Sequence, residues 1–435
     1  MSLLDAVVVG AGPSGLAALR RFREANLKVI ALEKRHDVGG VWLYEETPNG
    51  HSAAYRTLVT ITSKACSGME DFPFPKEWPD YLPHTLVKEY LRRYAEHFGL
   101  LSLIRFHTEV KETKRVSDRW VIHTASGDTL EARYLIAASG HHWKPYIPSY
   151  PGKFEGEIFH SHAYRDPIQL INKRILIVGG GNSAADIAAD AVRVAKSVEL
   201  SLRRGYYILP KFGFLGYPTD LLYKKLIAPL PRPLQRPLAE LSLWLLQGPM
   251  HRYGMPKPRE PLFYTHPLVN SELLYHLRHG KVRIRNDIQH LEDKRVYFTD
   301  GSYGEYDTLI WATGYEIDFP YLPPHLVPKT NTPQRLYLHI FSLDEPSLIF
   351  LGLIQPNGCL WNLSEKQAAL AARYITGTYK LPSDAPQVNQ EYWRKHQKRY
   401  HSSPRHLWEV DWHEYYRKLD KLVKRYPLSP TPTRA

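Results

Sequence analysis

Two glycine-rich segments, Gly10-Ala11-Gly12-Pro13-Ser14-Gly15 and Gly179-Gly180-Gly181-Asn182-Ser183-Ala184, constrain this chain more than any other feature. A lone G-x-G-x-x-G says little, since the pattern gains meaning only between the strand and helix of a βαβ unit. Both copies here follow a short apolar run and precede a helix-forming stretch. Two such units predict an α/β fold with two Rossmann-like dinucleotide-binding domains.

In the first unit, residues 4–9 read as a buried parallel strand and residues 16–22 as a helix with one apolar face. Gly10 serves the tight turn, Gly12 the approach of a pyrophosphate and Gly15 close packing of helix on sheet, with Pro13 and Ser14 at the helix start. The second strand, residues 28–32, ends in Glu33. A carboxylate there suits a ribose diol and repels a 2'-phosphate, so this half is expected to bind FAD or NAD. In the second unit, Gly179, Gly181, Asn182, Ser183 and Ala184 follow the run 174–178, and the next strand closes on Ser201, Arg203 and Arg204. Guanidinium groups suit a phosphate, which favours NADPH over NADH; solvated surface charges are the plainer reading.

At 435 residues the chain has room for two or three domains with substantial cores. Residues 238–246 form an apolar run broken by Glu240, far short of the roughly 20 residues of a membrane span. The first strand begins at residue 4, which leaves no place for a signal peptide, and a cytoplasmic protein is expected. The two cysteines, Cys66 and Cys359, form no CxxC pair, which argues against a disulfide reductase. No histidine stands in metal-ligand spacing, so no metal is expected. Much of the net charge of +13 lies in the C-terminal segment beside many aromatic residues, a pattern of docked helices with solvated basic faces rather than a nucleic-acid site.

Between the fingerprints, Phe154, Gly156, His160 and Tyr164 fit FxGxxxHxxxY. This resembles the identifying motif of the flavin-containing monooxygenases; the related Baeyer-Villiger enzymes usually carry Trp at the position of Tyr164. Further matches are Gly39-Gly40-Val41-Trp42, Ser63-Lys64 with Asp71-Phe72-Pro73-Phe74-Pro75, Ala138-Ser139-Gly140, and Ala312-Thr313-Gly314-Tyr315, so the resemblance covers roughly residues 3 to 380. It implies bound FAD and NADPH, O2 and a small-molecule substrate, with a C4a-hydroperoxyflavin attacked by a thioether sulfur or an amine nitrogen. It extends the cofactor sites to Lys34, Gly40, Val41, Trp42, Thr62, Val110, Ala312, Thr313 and Gly314. It places Ser63 and Lys64 near the flavin, Tyr315 and Asn357 on the substrate side, and Phe154, Gly156, His160 and Tyr164 as domain-coupling residues. The family commonly has Asn at the position of Ile61, which cannot hydrogen-bond; Asn357 or Asn362 could supply an amide instead. Ketone oxidation and uncoupled NADPH oxidation are the competing readings.

The expected division is a discontinuous FAD domain of residues 1–165 and 305–382, an inserted NADPH domain of 166–304 and a helical tail of 383–435. The Pro- and aromatic-rich insertion 215–266 reads as a cover, a membrane-surface patch or a packing element. A homodimer is compatible with this plan.

Overall fold

The computed structural model describes residues 3–47, 50–329, 335–400 and 404–428. Leu4–Val9 pairs in parallel with Val29–Leu32 on one side and Thr129–Ala137 on the other. Ala6, Val7 and Val8 are fully buried, as a strand covered on both faces requires. The sheet extends through Ile104–Arg105 beyond one edge and Leu348–Phe350 beyond the other, and reaches nine strands in all. The helices Pro13–Glu24 and Leu360–Ile375 pack together on it, tied by the buried pair Arg20–Glu365 at 3.0 Å.

The second sheet has five parallel strands in the order Val282–Arg285, Ser197–Ser201, Arg174–Val178, Thr308–Trp311, Glu157–His160. The fold is therefore two Rossmann-like units. Sheet membership corrects the expected boundaries. Glu157–His160 and Thr308–Trp311 belong to the second sheet, because each finds its parallel partner there. The chain leaves the first sheet's side before residue 157 rather than at 165, and returns after 311 rather than at 305. The two crossings touch, since Lys144–Pro145 and Tyr315–Glu316 form an antiparallel ribbon.

The insertion contains the helices Thr219–Leu222 and Arg232–Gln247, the second with Pro237 inside it. Leu234, Leu241, Trp244 and Leu245 stand exposed on that second helix. The tail forms Ala385–Arg399 and Trp412–Arg425, and Glu409–Val410 adds in parallel to Gln355–Pro356. Residues 401–403 and 429–435 of the expected tail lie outside the described residues. Among the described residues no helix is long and apolar enough to cross a membrane.

Candidate functional site

The two fingerprints share one packing device. A Cβ on Gly10 would lie 2.8 Å from the Ala138 carbonyl oxygen, and one on Gly179 would lie 2.3 Å from that of Ala312. Both glycines have positive φ, at 103° and 132°. In each unit the first glycine thus abuts the Ala of an Ala-Ser/Thr-Gly segment that ends the neighbouring parallel strand. The Ala312-Thr313-Gly314 segment is therefore the second sheet's counterpart of Ala138-Ser139-Gly140. Gly15 is equally fixed, since a Cβ there would stand 2.0 Å from the Gly10 carbonyl oxygen. A Cβ on Gly12 would be 3.2 Å from the Gly40 Cα, a tight approach of the two backbones.

The helices that follow begin at Pro13 and Asn182, capped by Gly12 and Gly181 with no side-chain hydrogen bond. Their first-turn amides keep no side-chain acceptor, which fits an anionic pyrophosphate at each turn. Glu33 is buried at the end of its strand and accepts from the Ala11 amide at 2.8 Å and the Arg35 amide at 3.0 Å. Its two oxygens thus brace the first glycine turn. Lys34 reaches His51 Nδ1 at 3.0 Å and lines a cavity of about 340 Å³ with His51, Trp143, Pro145, His160 and His162. Val41 holds the Ser52 hydroxyl on its carbonyl, and Trp42 meets Trp361 edge-on at 6.0 Å. Val110 is buried at the start of its strand, Val110–Val116.

At the second unit the strand stops at Ser201, so Arg203 and Arg204 lie in the turn beyond it. Arg204 is held by Glu260 at 3.1 Å and lies over the Tyr206 ring, whereas Arg203 is exposed and pairs with no carboxylate among the described residues. The Ser201 hydroxyl donates to the Asn286 carbonyl at 2.8 Å and so faces its own sheet. Asn182 accepts from the Val269 amide at 2.7 Å, which pins the end of the insertion to the fingerprint helix. Ser183 is partly exposed at the start of that helix and Ala184 is buried beneath it.

The flavin-side segment is held by loop contacts. Lys64 donates its ammonium to the Lys76 and Trp78 carbonyls, which makes it a loop tie. Thr62 accepts from Ser67 at 2.8 Å. Ser63 is fully buried; among the described residues its hydroxyl has no well-formed hydrogen bond, the Cys66 thiol being its polar neighbour. Such an orphaned hydroxyl fits a site that a cofactor completes. Ile61 is half-buried next to it.

Tyr315 and Asn357 are not brought together. Tyr315 sits in the crossing ribbon, ringed by His142, His160 and His162 at 5.2, 5.3 and 5.8 Å. Asn357 accepts from the Trp412 amide at 2.8 Å, and Asn362 accepts from the Trp412 indole at 3.2 Å, so both carboxamide oxygens anchor the tail. Asn357 does line a second cavity, about 220 Å³, between the insertion and the tail, with Tyr223, Phe263, Tyr400 and Glu409 on its wall.

The linker residues meet the fingerprint helix. Phe154 is buried, and a Cβ on Gly156 would lie 2.5 Å from its ring. His160 accepts from the His162 amide at 3.0 Å, and burial lowers its pKa to about 4, which keeps it neutral. Tyr164 is fully buried and donates to Asp190 at 3.0 Å. Thr57 donates to the same carboxylate, and Tyr55 to Asp186 one turn earlier. Asn270 also donates to Asp186, at 2.7 Å. The sequence reading missed Asp186 and Asp190; two carboxylates spaced i, i+4 on an alanine-rich helix were the available signal. Among the described residues no group of three or more His, Cys, Asp or Glu is placed to hold a metal ion.

Comparison with known proteins identifies the family. Residues 5–430 match the family model described as flavin-binding monooxygenase-like. Rabbit (Oryctolagus cuniculus) flavin-containing monooxygenase 5 is 32% identical over 96% of this chain and 82% of its own length. Dimethylaniline monooxygenase [N-oxide-forming] 2 of Rattus norvegicus is 34% identical over 87% of this chain and 74% of its own. The structure of S-allyl-L-cysteine S-oxygenase from Allium sativum superposes with a TM-score of 0.71 at 20% identity, over 97% of this chain and 89% of that one.

Proposed function

Since this chain belongs to the flavin-binding monooxygenase-like family and is a flavin-dependent monooxygenase that uses FAD and NADPH, we propose that it places one oxygen atom of O2 on a soft nucleophile, a thioether sulfur or an amine nitrogen. The observation that carries this reading is the duplicated fingerprint device, Gly10 against Ala138 and Gly179 against Ala312. It supports two dinucleotides bound to one chain, one to deliver hydride and one to receive it. When bound, the flavin supplies hydride acceptance and oxygen activation; the protein supplies orientation and the exclusion of water.

In this reading the first-turn amides after Gly12 and Gly181 hold the two pyrophosphates, Glu33 takes the flavin-side ribose and Arg203 takes the 2'-phosphate. Ser63 offers its buried hydroxyl, and Ile61 an apolar side chain, to the flavin side. The insertion and the tail together wall the second cavity. Tyr55 on Asp186 and Thr57 on Asp190 tie the first unit's segment to the fingerprint helix, and Tyr164 braces that helix from within the second unit.

The choice of sulfur or nitrogen over a ketone rests on Tyr164, whose hydroxyl finds a carboxylate on the fingerprint helix. The N-oxide-forming activity in the name of the Rattus norvegicus relative supports it. The test is product analysis with NADPH and a thioether, a tertiary amine or a cyclic ketone. Sulfoxide or N-oxide without lactone is expected; lactone as the main product would move the chain to ketone oxidation.

A further inference from the structure

We propose that Asp220, in the insertion, is a positioning residue that fixes the flavin-side segment around Ser63 to the NADPH fingerprint. The kinetic part of this proposal rests on the monooxygenase reading above; the structural part does not.

Asp220 Oδ2 accepts the Ser63 amide at 2.7 Å, while its Oδ1 accepts the Leu221 amide at 2.9 Å. Ser63 is fully buried, so no water stands ready to replace the acceptor if the carboxylate leaves. The other end of the segment is pinned within its own unit. Thr60 donates its amide to the Leu82 carbonyl at 2.9 Å, and its hydroxyl accepts the Leu82 amide at the same distance. Between these anchors stands Ile61, which contributes no polar contact of its own. The Lys64 amide, on the Asp80 carbonyl at 2.7 Å, holds the chain just beyond, so at Ser63 itself Asp220 is the anchor that comes from the insertion, more than 150 positions away.

From Asp220 the hydrogen bonds continue to the second fingerprint. The Thr219 amide donates to the Lys211 carbonyl at 2.9 Å, and the Thr219 hydroxyl to the Pro210 carbonyl at 2.7 Å. Residues Ile208–Leu209, just before them, pair with Leu268–Val269. Val269 in turn gives its amide to Asn182, the first residue of the fingerprint helix. A second brace joins the same stretch to the flavin side, since Tyr81 donates to the Lys211 carbonyl and its ring meets Phe212 at 5.3 Å. Beside Asp220, burial pushes the Cys66 thiol up to about 11, so it stays protonated at neutral pH. A dinucleotide seated on Asn182 thus stiffens a path of named contacts that ends at Ser63. Coupling along such a path has to be demonstrated at both ends.

Hydrogen–deuterium exchange on the FAD-loaded enzyme, with and without NADP+, supplies that test. In the wild type, NADP+ is expected to slow exchange at the Ser63 amide by about tenfold or more. Asp220→Ala removes that slowing while residues 182–191 remain protected. Asp220→Asn, whose amide oxygen still accepts, stays within about threefold of the wild type. Turnover adds a second arm: Asp220→Ala lowers product formed per NADPH at least about twofold, with hydrogen peroxide making up the balance and flavin reduction by NADPH unchanged. NADP+-dependent slowing at Ser63 that survives in Asp220→Ala, or that is lost equally in Asp220→Asn, overturns the proposal. Should Asp220→Ala not fold, Tyr81→Phe removes the second brace and is expected to lose part of the slowing; full retention there counts against the path. If the wild type yields peroxide and no oxygenated product, the monooxygenase reading falls and the exchange arm still decides on Asp220.

Discussion

Removing the Arg203 guanidinium should cost NADPH its advantage over NADH, and the structure sets the size of the effect. Arg203 is exposed and pairs with no carboxylate among the described residues, so it is free for a phosphate. Its exposure also places the interaction in a high dielectric. At about 4 Å in water, a unit charge pair is worth about 1 kcal/mol, and a 2'-phosphate carries a charge of about −1.5 to −2. A charge-assisted hydrogen bond contributes about 1.5–3 kcal/mol, so about 2 kcal/mol is a consistent figure. That corresponds to a rise of about 30-fold in the Kd for NADPH, with NADH unaffected. Arg204 is already engaged by Glu260 at 3.1 Å, and Arg204→Ala should move the NADPH affinity much less. The assay is anaerobic stopped-flow reduction of the flavin across a range of NADPH and NADH concentrations. The NADPH effect should shrink in 0.5 M salt, about the range where screening is strong. Equal losses for both nucleotides in Arg203→Ala, or a larger NADPH loss in Arg204→Ala, would refute the assignment.

Three further outcomes follow from the site. Gly179→Ala sets a Cβ 2.3 Å from the Ala312 carbonyl and should abolish NADPH binding, measured by calorimetry, with FAD retained; unchanged affinity would mean that the two strands separate freely. Burial raises the Asp186 carboxyl from 3.8 to about 6, so folding favours its protonated form, and that stabilisation is lost as the pH rises through about 6. The ionised form then costs at most about 3 kcal/mol at 1.36 kcal/mol per pKa unit, and the Tm gain of Asp186→Asn should be larger at pH 8 than at pH 5; a gain that grows toward acid would contradict the sign. Ile61→Asn should raise the product formed per NADPH and lower peroxide release by about twofold or more, an effect worth about 0.4 kcal/mol or more, and an unchanged ratio would remove Ile61 from the coupling of reduction to oxygenation.

The parts of this molecule legible in its sequence are those whose partners lie close in the chain. Strand, glycine turn, helix and terminal acid all fall within residues 4–33, and each follows from local sterics and period. The same logic placed the second strand near 198–204, although it ends at Ser201. What escaped reading depends on contacts made only by the folded chain. Lys64 looks like a flavin-side cation in sequence, yet the Lys76 and Trp78 carbonyls take its ammonium once the loop closes. Asn357 and Asn362 looked like spare amides, but the tail's Trp412 occupies both. The strand Glu409–Val410 is two residues long and has no period to detect. Asp220 carries no signal of its own, and only the insertion's fold sets it against Ser63.

Incorporation of labelled oxygen separates oxygen transfer to a substrate from plain NADPH oxidation. The FAD-loaded enzyme is given NADPH, a methyl aryl thioether and 18O2, and product, NADPH and hydrogen peroxide are counted together. The expected product is a sulfoxide carrying one 18O atom in each molecule, formed in proportion to NADPH consumed. Recovery of all the NADPH electrons as hydrogen peroxide, with no labelled product from thioether or amine, would contradict oxygen transfer.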